Sequence, residues 1–337
     1  MDSDTLDALD RQLVHALQID GRAPFSRIAT ALGASDRTVA RRYHRLRSAG
    51  ALRVVGLPNA RRLGMVDWFV RIQCTPDAAL AVAATLSGRE DTSWVGLASG
   101  GTEITCITRA PGGSHHDSLL LPKLPRTSRI TAVTAQCLLR AVAGTAGWHG
   151  RTAALSAQQA EDLRRPEQPS GDSSAAPASR DETRPVELSE ADRRLLPVLA
   201  KDGRADVPSL ATATGWSEST VRRRMEELRH DGVLYFDVEI DPVLFGFSCE
   251  AVLWLTVASA ELSRVAGMLS GHSEIAFAAA TTGPSNMVAF VVCRDADALY
   301  DYLATRIGAL SGVLRVETTL VTRHVKRAGT LLPPLAR

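Results

Sequence analysis

The sequence is short of sulfur, of long apolar runs and of charge of one sign. Its five cysteines, Cys74, Cys106, Cys137, Cys249 and Cys293, lie far apart with no C-x-x-C pair, which argues against a disulfide framework and a zinc site. In β-branched, apolar surroundings they read as buried reduced thiols. No apolar stretch approaches the ~20 residues of a membrane span; the longest, near 251–260, is strand-like in its Val, Leu and Trp content. The N-terminus carries Asp2, Asp4 and Asp7 instead of a basic, apolar leader, so a cytoplasmic chain without membrane contact is expected. No nucleophile elbow, P-loop or H-E-x-x-H motif occurs, so no catalytic residue and no cofactor are expected. His115-His116-Asp117 has no further ligands at suitable spacing, and no metal is expected there. The 39 basic and 37 acidic residues nearly cancel, so bulk charge alone does not announce a nucleic-acid partner.

What the sequence does contain is one segment written twice. Residues 10–52 align with 192–234 without a gap, at a constant offset of 182 (192 − 10), and about half the aligned positions are identical. Asp20-Gly21-Arg22-Ala23 matches Asp202-Gly203-Arg204-Ala205. Gly33, Ser35, Thr38, Val39, Arg41, Arg42 and Leu46 match Gly215, Ser217, Thr220, Val221, Arg223, Arg224 and Leu228. A repeat this long indicates a duplicated domain, not a solenoid of short units, and 337 residues accommodate two to four small domains.

Each copy spells a helix-turn-helix. Leu9, Leu13, Ala16 and Leu17 recur at helical spacing up to Asp20-Gly21; Phe25, Ile28, Ala29 and Leu32 give a second helix that Gly33 ends. Ser35 is a suitable N-cap for a third, in which Val39, Tyr43 and Leu46 face inward. The 100° step per residue then turns Arg37, Arg41, His44 and Arg45 outward, with Arg42 and Arg47 on the flanks. Five arginines stand against the single acid Asp36 across 35–48, a composition suited to phosphate and guanine contacts from a recognition helix. The alternative is a merely solvated basic face on a small bundle. The second copy buries Val221, Met225 and Leu228 and exposes Ser219, Arg222, Arg223, Glu226 and Glu227. It holds eight basic and eight acidic residues over 188–236, against nine and six over 1–60, so the copies should hold DNA unequally. The candidate DNA contacts are Arg22, Ser35, Arg37, Thr38, Arg41, Arg42, His44 and Arg45 in the first copy, and Arg204, Ser217, Ser219, Thr220, Arg222, Arg223 and Arg224 in the second. For Arg22 and Arg204, clamping a phosphate and pairing with a nearby acid both remain open. Trp216 reads as a packing residue.

Behind each copy the periodicity changes. Strands are expected over 65–74, 93–98, 104–108 and 130–139, with helices over 77–86 and 116–121. The same order recurs as strands over 249–257, 275–280, 287–292 and 313–321, with helices over 262–269 and 297–307. This β-α-β-β-α-β order gives a ferredoxin-like, four-stranded antiparallel sheet with both helices on one face. Residues 165–185, rich in Pro, Ser and Gly, read as a disordered or extended linker, preceded by a short capped docking helix over 157–165. The expected domains are helix-turn-helix at 1–60, ferredoxin-like at 61–150, linker with short helix at 151–186, helix-turn-helix at 187–240 and ferredoxin-like at 241–330. The fold class is α+β: two winged or plain helix-turn-helix domains alternating with two ferredoxin-like domains.

A helix-turn-helix with Asp20-Gly21-Arg22 between its first helices, then Val39, Arg42, Tyr43, Leu46, Gly50 and Leu52, then a ferredoxin-like domain, resembles the leucine-responsive/asparagine regulator (Lrp/AsnC) family of bacterial transcription factors. Asp231-Gly232-Val233-Leu234, Thr282-Gly283-Pro284-Ser285-Asn286 and Val316-Glu317-Thr318 carry the same resemblance in the second half. It implies a sequence-specific regulator of double-stranded DNA whose sheet domains bind an amino acid or similar effector and mediate oligomerisation. Since members usually carry one copy of each domain, the fusion implies an intramolecular pseudo-dimer, with homo-oligomers built from such chains. Open sheet edges give a physical reason for the two sheet domains to meet. The implied effector loops are Gly283, Pro284, Ser285 and Asn286, and Gly100, Gly101, Thr102 and Glu103. Backbone N–H groups there suit a carboxylate, and Asn286 or Glu103 an ammonium; a plain hairpin turn is the alternative. Two other functions share the architecture: a sirohaem-decarboxylase-like enzyme, and a metabolite-binding protein without DNA contact.

Overall fold

The computed structural model describes residues 6–112, 128–144, 154–164 and 185–328. The helix expected over 116–121, the His115-His116-Asp117 run and the linker at 165–184 lie outside the described residues. The chain divides into two compact units, each drawing on both halves of the sequence: 7–65 with 152–238, and 66–151 with 239–337 and 1–6.

The first unit holds both helix-turn-helix copies. In the first, α1 (Ala8–Ile19) starts at Asp7, whose carboxylate accepts from the Asp10 amide. α2 (Phe25–Leu32) ends at Gly33 with φ +62°, a left-handed turn that glycine adopts without steric cost. α3 (Asp36–Ser48) is capped by the Ser35 hydroxyl, which accepts from the Thr38 amide at 3.1 Å, a device worth about 1 kcal/mol. Val39, Tyr43 and Leu46 are buried as expected. β1 (Leu52–Pro58) follows.

The second copy repeats the pattern in α6 (Glu190–Lys201), α7 (Val207–Thr214), α8 (Glu218–His230) and β6 (Leu234–Ile240). Gly215 takes φ +76° and the Ser217 hydroxyl caps α8. Trp216 packs against the core of this copy. β1 and β6 form a two-stranded sheet that joins the copies. The docking helix is α5 (Ala157–Arg164). Ser156 and Gln159 cap its start reciprocally, Leu163 is buried, and Arg27 donates to the Asp162 and Leu163 carbonyls at its end. His15 Nδ1 accepts from the Ala154 and Leu155 amides.

The second unit contains both sheet modules. The first module runs β2 (Met65–Cys74), α4 (Pro76–Ser87), β3 (Thr92–Ala98), β4 (Glu103–Pro111) and β5 (Ile130–Ala143). The second runs β7 (Cys249–Val257), α9 (Leu262–Ser270), β8 (Ile275–Thr281), β9 (Met287–Cys293), α10 (Ala296–Asp301, continued in wider turns to Ile307) and β10 (Val313–Lys326). Strand order is β10-β3-β4-β2-β5-β8-β9-β7, closed into a barrel. Read in chain order, each module has the ferredoxin-like strand order 4-1-3-2. The last strand of each module pairs with the second strand of the other, so no open edge remains among these strands. β5 and β10 extend several residues beyond the expected ends, and their pairing with β8 and β3 begins at Leu138 and Val321 and runs on through these extensions. Apolar side chains fill two clusters beneath the helices and a third on the barrel's inner face, with Phe69, Val252, Trp254, Ala279 and Val288. Cys74, Cys106 and Cys293 are buried free thiols, and burial pushes Cys106 up to about 12.

Candidate nucleic-acid interface and effector loops

The exposed face of α3 is built by its buried one. With Val39, Tyr43 and Leu46 packed inward, Arg37, Arg41, His44 and Arg45 are exposed, while Thr38 and Arg42 are half-buried. Among the described residues, Arg37 and Arg41 make no ion pair, so both guanidiniums stay open to solvent. His44 lies edge-on to Phe25 and Tyr43. Arg45 donates to Asp10, and Arg42 to Asp10 and Asp7 at 2.9 and 2.6 Å.

The α8 face is arranged differently. Arg222 pairs with Glu218 and Arg223 with Glu227, each at 2.8 Å and one turn apart. The Ser217 hydroxyl bonds those of Ser219 and Thr220 at the helix start. Charge on α8 is therefore largely compensated within the helix, whereas on α3 it is not.

Four arginines among the expected DNA contacts are half-buried in structural contacts. Arg22 and Arg204 turn inward and clasp the two copies reciprocally. Arg22 donates to the Gly203 and Ala205 carbonyls at 2.7 and 3.1 Å, and Arg204 to those of Gly21 and Ala23 at 2.8 and 3.0 Å. Asp20 and Asp202 hold the turns by accepting from the Arg22 and Arg204 amides. Arg22 also lies over Phe236, and Arg204 over Phe25 and Tyr43. Burial pulls both guanidiniums below the usual arginine value, as expected where carbonyls rather than carboxylates receive them. A phosphate clamp at these residues would require breaking that clasp.

Arg42 and Arg224 are the other two. Asp192 is fully buried and accepts from Arg224 Nε and Nη2 at 2.9 and 2.8 Å, while closing a capping box with Ser189. Asp10, 2% exposed, receives Arg42 in the matching place. Sequence reasoning missed both aspartates. The signal was present: the same acid and the same arginine, 32 residues apart, occur in each copy.

The loops expected to hold an effector are also partly committed. Asn286 bonds the Val257 backbone in both directions, accepting from its amide at 2.8 Å and donating to its carbonyl at 2.7 Å, so its side chain is not presented to an ammonium. Glu103 is buried against Arg71, with Oε2 2.7 Å from Nε. Burial raises its carboxyl and Arg71 only partly offsets that; it faces into the barrel. Thr281 donates to the Ser285 carbonyl and Thr256 to that of Pro284, and Gly283, with φ +96°, passes so close to Gln136 that a Cβ would lie 3.0 Å from its amide nitrogen.

The first-module loop is more open. Ser99, Gly100 and Gly101 have φ of +51°, +67° and +90°, and Gly100 and Gly101 have open space where a Cβ would stand. They border an open depression of about 390 Å³ lined also by Pro76, Ala79, Leu80, Leu97, Thr322 and Arg323. Thr322 and Arg323 come from β10 of the other module, a contribution that sequence spacing did not reveal. Among the described residues no cluster of three metal-binding side chains occurs, and no helix is long and apolar enough to cross a membrane.

Comparison with known proteins places these features. An AsnC-type helix-turn-helix domain model matches residues 6–47 and again 188–229, and an Lrp/AsnC ligand binding domain model matches 250–331. The HTH-type transcriptional regulator FL11 of Pyrococcus abyssi is 32% identical over 147 residues, 43% of this chain and 97% of the relative. The regulator AldR of Mycobacterium tuberculosis is 27% identical over 158 residues, 46% of this chain and 88% of its own length. The crystal structure of the siroheme decarboxylase NirDL superposes with a TM-score of 0.62 over 96% of this chain and 94% of that one, at 12% identity. That likeness shows the fold of the duplicated chain and carries no chemistry.

Proposed function

The chain belongs to the Lrp/AsnC family of transcriptional regulators, and from that premise we propose that it reads one asymmetric DNA site with two unequal helix-turn-helix copies. Arg37, Arg41 and His44 of α3 are the principal readers, and Ser219, Arg222 and Arg223 of α8 the weaker ones. Ser35, Thr38, Ser217 and Thr220 frame the two helix starts, where backbone N–H groups donate to phosphate oxygens. The observation that carries this reading is the pair of exposed, uncompensated guanidiniums on α3. Work as a regulator in the cytoplasm, not as an enzyme, fits the concentration of exposed arginine on that helix.

The test is binding-site selection followed by a salt titration of the selected duplex. Affinity should fall by orders of magnitude between roughly 50 and 200 mM salt if several phosphates are neutralised. Affinity indifferent to salt would overturn the DNA reading. A selected consensus that is a perfect palindrome would overturn the asymmetry. A tetrapyrrole co-purifying with the chain would favour the enzyme instead.

The effector in this proposal is a small amino-acid-like molecule in the depression beside the 99–101 turn. Its carboxylate meets the turn's backbone N–H groups and Arg323, and its apolar part lies on Leu80 and Leu97. A thermal-shift screen of amino acids with Arg323→Ala as control tests it; a hit unaffected by that substitution would move the effector elsewhere. Chains so built are proposed to act as pseudo-dimers that associate further.

A further inference from the structure

The two sheet modules are related residue by residue at an offset of 183: Cys74 and Val257 end β2 and β7, Ile130 and Val313 begin β5 and β10, and Ala143 and Lys326 end them. Their cross-strand pairs match as well, Arg71 with Thr134 and Trp254 with Glu317, as do their seams, Leu138 with Thr281 and Val321 with Ala98. A pseudo-two-fold relation therefore exchanges Arg71 with Trp254, Glu317 with Thr134 and Glu103 with Asn286. At these three exchanged places the chemistry is unlike.

Across the barrel interior, Arg71 of one module meets residues of the other. Its guanidinium carbon lies 5.2 Å from the centre of the Trp254 ring, its own pseudo-symmetry mate. Nη2 donates to Glu317 at 2.5 Å, and Nε stands 2.7 Å from Glu103 of its own module. A cation therefore sits on an aromatic face and between two carboxylates, one of them 3% exposed.

We propose that this interior polar cluster is a pairing code: the inner face of the first module fits the second module and rejects another copy of itself. Two first modules would bring two Arg71 guanidiniums together where the indole now lies, and would put Thr134 in the place of Glu317. Two second modules would leave each Glu317 beside an indole with no guanidinium. Only the mixed pair supplies cation, aromatic face and second carboxylate together. The Arg22 and Arg204 clasp of the helix-turn-helix copies makes the same pair of carbonyl contacts on both sides and differs in the rings beneath the guanidiniums, so the charge-based part of the discrimination falls to the barrel. Like-charge contact with desolvation is the usual means of excluding a wrong partner.

The test uses the full chain with a protease site placed within 165–184, cut after folding. Tagged and untagged preparations are mixed in mild denaturant that lets the halves exchange, returned to buffer and weighed by native mass spectrometry. The mixed species should exceed the two like-with-like species by about tenfold or more; binomial proportions would overturn the proposal. Arg71→Met with Glu103→Gln should raise the pair of N-terminal halves toward binomial proportions, and an unchanged ratio would likewise overturn it. If that variant does not fold, Trp254→Arg supplies the opposite arm. A second guanidinium in the interior must lower the mixed fraction, and a mixed fraction equal to wild type would overturn the code.

Discussion

Helices α3 and α8 occupy matching places in the two copies and bury matching positions, Val39, Tyr43 and Leu46 against Val221, Met225 and Leu228. Their outer faces have diverged. Arg41 and Arg223 are the same residue in the repeat, yet Arg223 is paired with Glu227 one turn on, where the first copy carries Arg45. An identical residue therefore offers a different charge to a polyanion, because what an arginine presents depends on the acid one turn away. Helix-turn-helix geometry is held by the buried face, while the charge offered by the other face differs between the copies.

The largest expected effect would break this comparison directly. Arg37→Ala with Arg41→Ala should cost roughly 2–6 kcal/mol of specific DNA affinity if each makes a bidentate base contact, whereas Arg222→Ala with Arg223→Ala should cost about 1 kcal/mol or less. Equal losses in anisotropy titrations would show that the two helices read alike.

Next come the buried aspartates. Asp192→Ala should cost about 3 kcal/mol in denaturant unfolding, within the range for breaking a buried pair and discounted because Arg224 is partly exposed. Asp10→Ala should cost less, since Arg42 retains Asp7. The Asp192 carboxyl tests the sign further. Burial alone would raise it, but hydrogen bonds from Arg224 and Ser189 outweigh burial and hold it below the ordinary value. Its stabilisation is then complete above the unfolded value of about 4 and is lost as pH falls through the lower folded value. Acid unfolding of Asp192→Asn should lack that part of the pH dependence.

A smaller effect separates the two glycines of the clasp. An alanine Cβ at position 203 would lie 2.8–3.0 Å from backbone atoms of Val54, Val55 and Gly56, which cannot turn aside. At position 21 it would meet the Phe236 and Val54 side chains at 2.9 and 3.0 Å. Gly203→Ala should therefore destabilise by about 1–3 kcal/mol and Gly21→Ala by less; the reverse order by thermal melting would show that the side chains at position 21 are the less yielding. Smallest of all, Glu218→Gln should release Arg222 and tighten DNA binding a few-fold, by up to about 0.5–1 kcal/mol. No change would mean that Arg222 lies off the DNA.

Much of the fold was legible because it is local. The trio Val39, Tyr43 and Leu46, the Ser35 cap and the strand at Cys249–Val257 follow from periodicity and turn chemistry within a dozen residues. What was not legible depends on partners distant in sequence. The extensions of β5 and β10 exist because the opposite module offers an edge. Arg22 and Arg204 look like surface cations until the other copy supplies carbonyls. Asn286 has the right chemistry for an ammonium, and only the register of β7 beside it shows that Val257 takes both ends of its amide. On the outer faces of α3 and α8, sequence placed the arginines as exposed or flanking, as the structure has them, but the aspartates that withdraw Arg42 and Arg224 had to be found in space.

Closure of the barrel within one polypeptide has a consequence for dosage. Where two separate subunits must find each other, the paired fraction falls as the protein is diluted, and a regulator present in few copies spends part of its time unpaired. Here β5 finds β8 and β10 finds β3 on the same chain, so the encounter is unimolecular and its equilibrium contains no concentration term. Two unlike helix-turn-helix copies are delivered in fixed one-to-one ratio however scarce the protein is.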